Sequence, residues 1–260
     1  MMNFVGPKEI VAQGAVTVLV VLMTPKAVGE RGSKRYELLA GVAESAASAL
    51  RNLAYHEDCV AAITTARAIH VITRYYQADA HPNDEIQGLR GNSLVLAEAT
   101  LGCCHNTLFY PKARIEMLSY PWMVPVFCEL TIAGANGVLS DAQGFSKSLL
   151  REVVGCLRFL SLEADITGDI VDTGVVPALV RLMKASEDSD LYELAAACLR
   201  NLVAGGGRDS ERARAVEVQV GAMQFFIDDI VLRALKRSEG PERSIGDDGS
   251  ARFIDFKKAR

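Results

Sequence analysis

The chain has 260 residues, about 1.7 times a typical domain, and half of them are hydrophobic, so it can bury a sizeable core as one large domain or as a repeat array. Aromatic residues make up only 7%, which leaves the core to Ala, Val, Leu and Ile, and 28 basic against 32 acidic side chains give a formal charge of −4. These values exclude a disordered chain, a collagen and a polybasic nucleic-acid binder, while leaving room for a local basic stripe.

The first clear element is Ile10–Met23, IVAQGAVTVLVVLM. Val16, Leu19, Val20 and Met23 recur three and four apart, which is one helix face; β-branched residues are common, but the strict alternation of a strand is missing. The apolar run Gly14–Met23 is too short to span a bilayer. Lys8 is offset by Glu9, so the positive leader of a signal peptide is also lacking. A soluble, cytoplasmic or nuclear protein is expected. Six cysteines, at 59, 103, 104, 128, 156 and 198, fit this as reduced, buried thiols, because no C-x-x-C occurs and their density is far below that of a disulfide scaffold.

A second helical pattern follows at Ala46, Ala49, Leu50 and Leu53. Both blocks then return. Ile170–Met183, IVDTGVVPALVRLM, matches Ile10–Met23 at eight of fourteen positions without a gap. Leu50-Arg51-Asn52-Leu53 returns as Leu157-Arg158-Phe159-Leu160 and as Leu199-Arg200-Asn201-Leu202, the last two 42 residues apart. Weaker copies of the first block lie at Ile63–Tyr75, Tyr120–Leu130 and Val218–Ile230. Two alternating blocks at such a period mean a solenoid. Gly14, Gly174 and Gly221 fall between a short helix and a longer one, where a residue without Cβ lets the chain turn sharply. Pro125 and Pro177 fall three residues beyond that junction, in a first helical turn where a missing N–H costs least.

Gly174–Met183 with Ala195–Val203, and Gly14–Met23 with Ala46–Ala54, resemble the armadillo-repeat family: a short helix, a Gly turn, a helix like G-x-V/I-P-x-L-V-x-L-L and a helix like A-x-x-A-L-x-N-L-A. The resemblance implies an all-α, right-handed α-solenoid of four to five three-helix repeats, with HEAT-type repeats the alternative for the weaker copies. Their approximate spans are 3–55, 56–108, 109–162, 163–205 and 206–237, followed by a polar tail over 238–260. Arg67 and Trp122 replace the turn glycine in repeats two and three, and the fifth repeat lacks a recognisable third helix. The segments Thr24–Tyr36, Ala78–Asn92 and Ala133–Phe145 read as insertions and candidate contact loops. Apolar Met223, Phe225, Phe226 and Ile230 of the truncated repeat would need a cap.

The family's third helices line a concave groove. With Ala46, Ala49, Leu50 and Leu53 turned inward, Glu44, Ser48, Arg51 and Asn52 point elsewhere; the matching positions are Arg151, Gly155, Arg158 and Phe159, then Glu193, Ala197, Arg200 and Asn201. The family's groove asparagine maps onto Asn52 and Asn201, whose amides could hold an extended partner backbone. The tryptophans that importin-α-type adaptors place one turn earlier are replaced by Ser48, Gly155 and Ala197, which argues against an import receptor. Arg51, Arg158 and Arg200 recur in register and suit an acidic or phosphorylated segment; Gly102 is expected to interrupt the row. That alignment places Cys103, with an exposed side chain, in the asparagine column, although a shift of register would put Asn106 there.

Cys103-Cys104-His105 is no convincing metal site, because neighbours on a helix point about 100° apart. Gly205-Gly206-Gly207 lacks the Lys-Ser/Thr of a phosphate loop and sits where a third helix must end. No catalytic pair, cofactor motif or metal-ligand spacing is apparent. The expected function is a non-catalytic interaction scaffold or adaptor for a protein segment, without a nucleic-acid partner. The alternative is a structural subunit of a multiprotein complex that contacts its neighbours through solenoid ends and loops.

Overall fold

The computed structural model describes residues 6–23, 34–74, 94–140, 147–185, 188–204, 208–219 and 221. The chain divides into two compact units, Met1–Glu217 and Val218–Arg260. The described residues of the second are the end of one helix and Gly221, a turn residue with φ of 72°. The described residues form thirteen α-helices and one 3-10 turn, and no strand.

The helices come in triplets. The first comprises α1 (Pro7–Ala12), α2 (Ala15–Leu22) and α3 (Lys34–Leu53), and the second α4 (Glu57–Thr65), α5 (Ala68–Arg74) and α6 (Leu94–Leu108). The third is α7 (Pro111–Leu118), α8 (Met123–Ser140) and α9 (Lys147–Leu160). The 3-10 turn Ala164–Ile166, then α10 (Thr167–Asp172), α11 (Val175–Ala185) and α12 (Ser189–Ala204), make the fourth, and α13 (Arg208–Gln219) follows. The long third helices pack in series, α3 on α6, α6 on α9 and α9 on α12, and each second helix packs against the third helix of its own triplet. This is an all-α solenoid.

The recurring apolar positions become the buried core, and one cluster runs through the first three triplets. Leu50, Ile63, Leu101, Phe127 and Leu157 are fully buried, and each such side chain contributes roughly 1.5–3 kcal/mol of transfer free energy. Small residues let the stack close: Cys103, Cys156 and Cys198 are buried in the column that Ala49 opens. The sparse aromatic content follows from this packing, since helices spaced by Ala and Cys leave little room for rings between them.

The predicted turns take distinct forms. Gly14 and Gly174 adopt left-handed φ of 78° and 76° between the first and second helices of their triplets. At the same turn of the second triplet, Arg67 adopts φ of 54°, the only non-glycine residue in that region among those described. Its N–H bonds Thr64 O at 2.8 Å and its own carbonyl starts α5, so the helix junction imposes a conformation that a Cβ disfavours. Trp122 makes the third turn without a positive φ, its ring packed near Tyr120 and His70 at centroid distances of 5.4 and 5.9 Å.

One predicted insertion is corrected. Ala133–Phe145 was expected to project as a loop, yet α8 runs on to Ser140, with Gly134 and Ala135 buried and Thr131 Oγ1 donating back to Phe127 O at 2.8 Å. The apolar face of α8 simply outlasts the repeat motif. Residues 141–145 of that insertion, 24–33 and 78–92 of the other two, Gly205–Gly207, Met223, Phe225, Phe226, Ile230 and the tail lie outside the described residues.

The turn chemistry gives a test in urea denaturation. Around Gly174 no atom lies within 4 Å of an added Cβ, so Gly174→Ala should cost about 1–2 kcal/mol through backbone strain alone. Arg67→Gly should instead stabilise by up to about 1 kcal/mol. A destabilised Arg67→Gly would mean that its side chain, not the turn, matters there.

Candidate functional site

Two hydrogen bonds fix the register of the third-helix face. Asn106 Nδ2 on α6 donates to the carbonyl of Arg51 on α3 at 3.1 Å. Asn201 Nδ2 on α12 donates to the carbonyl of Arg158 on α9, also at 3.1 Å, and to Ser161 Oγ at 3.1 Å. Asn52, Asn106, Phe159 and Asn201 therefore share one column, and Arg51, His105, Arg158 and Arg200 share the next. This corrects two expectations. His105, not Gly102, stands in the basic row of the second triplet, and Cys103 is fully buried one turn from that face. The sequence blocks misled because Gly-Cys-Cys-His-Asn offers no Leu-Arg-Asn-Leu to align.

The small column one turn earlier, Ser48, Gly102, Gly155 and Ala197, explains how the rows interlock. A Cβ on Gly102 would lie 2.4 Å from Arg51 Nε, and one on Gly155 would lie 2.5 Å from His105 Nε2. Each basic side chain thus lies across the next third helix where that helix has no side chain. Arg51 reaches over Gly102 to donate from Nη2 to Glu152 Oε1 on α9, and His105 Nδ1 bonds the other oxygen, Oε2, at 2.8 Å. The Glu152 side chain is only 11% exposed. One carboxylate hence joins three consecutive third helices, from residues 101 and 47 positions away in the chain.

The remaining predicted residues separate by what they touch. Arg151 forms an ion pair with Asp188 at 2.6 Å, and Asp188 Oδ1 also accepts from the N–H groups of Asp190 and Leu191, capping α12. Burial opposes ionisation of Asp188, but the bonds from Arg151 and from these two N–H groups outweigh it and hold the carboxyl below its ordinary value. Phe159 is buried, its ring 5.4 Å from His105 and 5.7 Å from Phe109. Arg158 lies over the Phe159 ring, 5.1 Å from its centroid, and is half-buried. Arg200 is exposed. Neither Arg158 nor Arg200 has a carboxylate partner among the described residues. Asn52 and Glu193 are exposed, and Glu44 and Ser48 are half-buried.

Cys103 and Cys104 lie in the interior, and His105 is turned onto Glu152. Burial pushes the Cys103 thiol up to about 12 and the Cys104 and Cys156 thiols well above their ordinary value. Among the described residues no group of three His, Cys, Asp or Glu could hold a metal ion, and no helix is long and apolar enough to cross a membrane.

Two measurements check this geometry. Glu152→Gln should cost about 2–4 kcal/mol, as expected for removing one partner of a largely buried ionic cluster. Gly102→Ala should cost about 1–3 kcal/mol despite better helix propensity, because it displaces Arg51. The double variant should be less destabilised than the sum, and strict additivity in urea melts would show that Gly102 does not act through this cluster. Independently, none of the six buried thiols should react quickly with a thiol reagent at neutral pH until the protein is denatured; rapid labelling of Cys103 or Cys104 would contradict their placement.

Residues 164–204 match the armadillo/beta-catenin-like repeat family. No curated protein matches the chain. Among solved structures, an engineered protein from the Northeast Structural Genomics Consortium is 22% identical, with a TM-score of 0.61 over 84% of this chain and 72% of its own. A computationally designed armadillo repeat protein for modular peptide recognition is 14% identical, with a TM-score of 0.60 over 84% and 75% of the two chains. A designed armadillo repeat protein in complex with the peptide (KR)4 is 14% identical, with a TM-score of 0.58 over 81% and 74%. These likenesses concern the fold.

Proposed function

We propose that this chain, an armadillo-type α-solenoid, is a non-catalytic binding module that holds an extended, acidic or phosphorylated segment of a partner protein along its third-helix face. Arg158 and Arg200 carry the proposal. They continue the basic row beyond the part neutralised by Glu152, and no carboxylate among the described residues meets them. A guanidinium left free at a surface can form charge-assisted, bidentate bonds with a carboxylate or phosphate. The designed relative with a bound peptide holds a basic one; here the free charges of the row are cationic and favour the opposite sign.

The groove residues divide accordingly. Arg158, Arg200 and Asn52 are available to a partner, with Glu193 and Glu44 two turns nearer the helix N-termini. Arg51, Arg151, Phe159 and Asn201 act as supports, since their polar groups or rings are engaged within the solenoid. Ser48 stands at the start of the small column. The module works in the cytoplasm or nucleus as an adaptor and needs no cofactor.

A second reading, as a subunit docked through a solenoid end, draws on the first triplet. Val18 and Val21 of α2 are 58% and 57% exposed, and Val18 borders a mainly apolar hollow of about 640 Å³ that Pro7, Ile10, Leu19 and Leu53 line together with Asn52 and His56. Contiguous exposed apolar surface of this kind commonly marks contact with another protein.

Affinity purification with wild type and with Arg158→Glu/Arg200→Glu separates the two. Charge reversal should weaken binding of recovered partners by about tenfold or more, and raising the salt concentration should do the same for wild type. The melting temperature should fall only slightly, because neither arginine closes an ion pair and the contact of Arg158 with the Phe159 ring is worth about 0.5–1 kcal/mol. Partners retained in full by the double variant would exclude the groove and favour the end-docked subunit.

A further inference from the structure

An exposed apolar row runs beside the basic one. Three residues beyond the asparagine column stand Tyr55, Phe109 and Leu162, which are 62%, 61% and 50% exposed. All three fall just past the C-terminal ends of α3, α6 and α9, and the fourth position is Ala204, so the row spans the first three triplets. Tyr55 and Phe109 are tied together and to the basic row by direct contacts. Tyr110 Oη donates to the carbonyl of Tyr55 at 3.0 Å, and the Tyr110 ring meets Phe109 edge-on at 5.2 Å. Phe109 meets Phe159 edge-on at 5.7 Å, and Phe159 carries the Arg158 guanidinium at 5.1 Å.

The two rows are offset along the solenoid. In the first two triplets Arg51 and His105 face Glu152, so of the two rows it is the apolar one, at Tyr55 and Phe109, that stands exposed there. In the third triplet Arg158 and Leu162 occur together, and in the fourth only Arg200 is left. The surface therefore passes from apolar to cationic in chain order, with Phe159 beneath the change. Large exposed rings next to an arginine with no acidic partner form the composition that interface centres favour.

From this offset we infer that the partner segment is bipartite: large apolar side chains that rest on Tyr55, Phe109 and Leu162, joined to an acidic cluster that reaches Arg158 and Arg200. The inference deepens the binding-module reading of the same face and rests on it. Charge complementarity selects the acidic part, and the apolar row fixes where that part begins. Four third helices at about 8–10 Å spacing span roughly 24–30 Å, a distance that about eight to ten extended residues cross. A short linear segment is long enough.

The probes are fluorescein-labelled peptides of about twelve residues, half alternating Leu with Ser and half alternating Glu with Ser, made in both block orders. They are compared with versions in which Ser replaces Leu or Lys replaces Glu, and with an oligothymidylate of similar length. Binding is read by fluorescence anisotropy on the full chain. One block order should bind, and it should lose about tenfold or more when Ser replaces Leu and a similar factor in the Tyr55→Ser/Leu162→Ser variant. Should that variant fail to fold, the change of Leu to Ser in the peptide still decides. If the Ser-for-Leu peptide binds as well as its parent and both are lost with Arg158→Glu/Arg200→Glu, the bipartite inference falls while the acidic-segment reading stands. Tighter binding of the Lys peptide or the oligonucleotide, or no peptide binding up to about 1 mM, overturns both.

Discussion

Glu152 is a carboxylate removed from water in the middle of a helix stack, and that placement is tolerable only because Arg51 and His105 reach it from two other triplets. A carboxylate so buried, without partners, would cost several kcal/mol. The stack must therefore keep α3, α6 and α9 in one register, and it must keep Gly102 and Gly155 bare so that the two basic side chains can lie across the helices between. Apolar burial supplies the bulk of the stability but is indifferent to small slips of one helix along the next. The ionic cluster and the two asparagine-to-carbonyl bonds penalise such slips, because each slip leaves a buried or half-buried polar group unpaired.

The same cluster shapes what the face can bind. By engaging Arg51 and His105, Glu152 leaves Arg158 and Arg200 as the members of the row that meet no carboxylate among the described residues. Asn106 and Asn201 each spend a donor on the preceding third helix, which ties the second triplet to the first and the fourth to the third and reduces what these amides can offer a partner. Arg151 is drawn the other way, to Asp188 at the head of α12. The face is polarised along the solenoid, with apolar residues standing clear at one end and guanidinium groups at the other, although the repeats that build it look alike.

Much of the fold was legible because repeats write the same physics several times. The eight identities between Ile10–Met23 and Ile170–Met183, the glycines at 14 and 174 and the Leu-Arg-Asn-Leu blocks all recur in place, and the left-handed φ values at both glycines confirm the turn chemistry. The second triplet was harder to read. Its turn carries Arg67, its third helix carries Gly-Cys-Cys-His-Asn, and a single sequence offers no way to choose between two alignments that differ by one helical turn. Only the bond from Asn106 to the Arg51 carbonyl decides it. The row of Tyr55, Phe109 and Leu162 could have been found from spacing, since each stands three residues beyond the asparagine column, but only after that column had been placed correctly.

The sequence by itself determined the all-helical class, the repeat architecture, the glycine turns and the columns of small and apolar residues, because these depend on local propensity and on a periodicity that every repeat restates. It also placed three arginines on one face. Which of those arginines are neutralised was decided by tertiary structure alone. Glu152 lies outside every repeated motif, and its partners are contributed by helices 47 and 101 residues earlier. Pairing of that kind depends on how closely helices approach over a bare glycine, a distance that no spacing along one chain encodes.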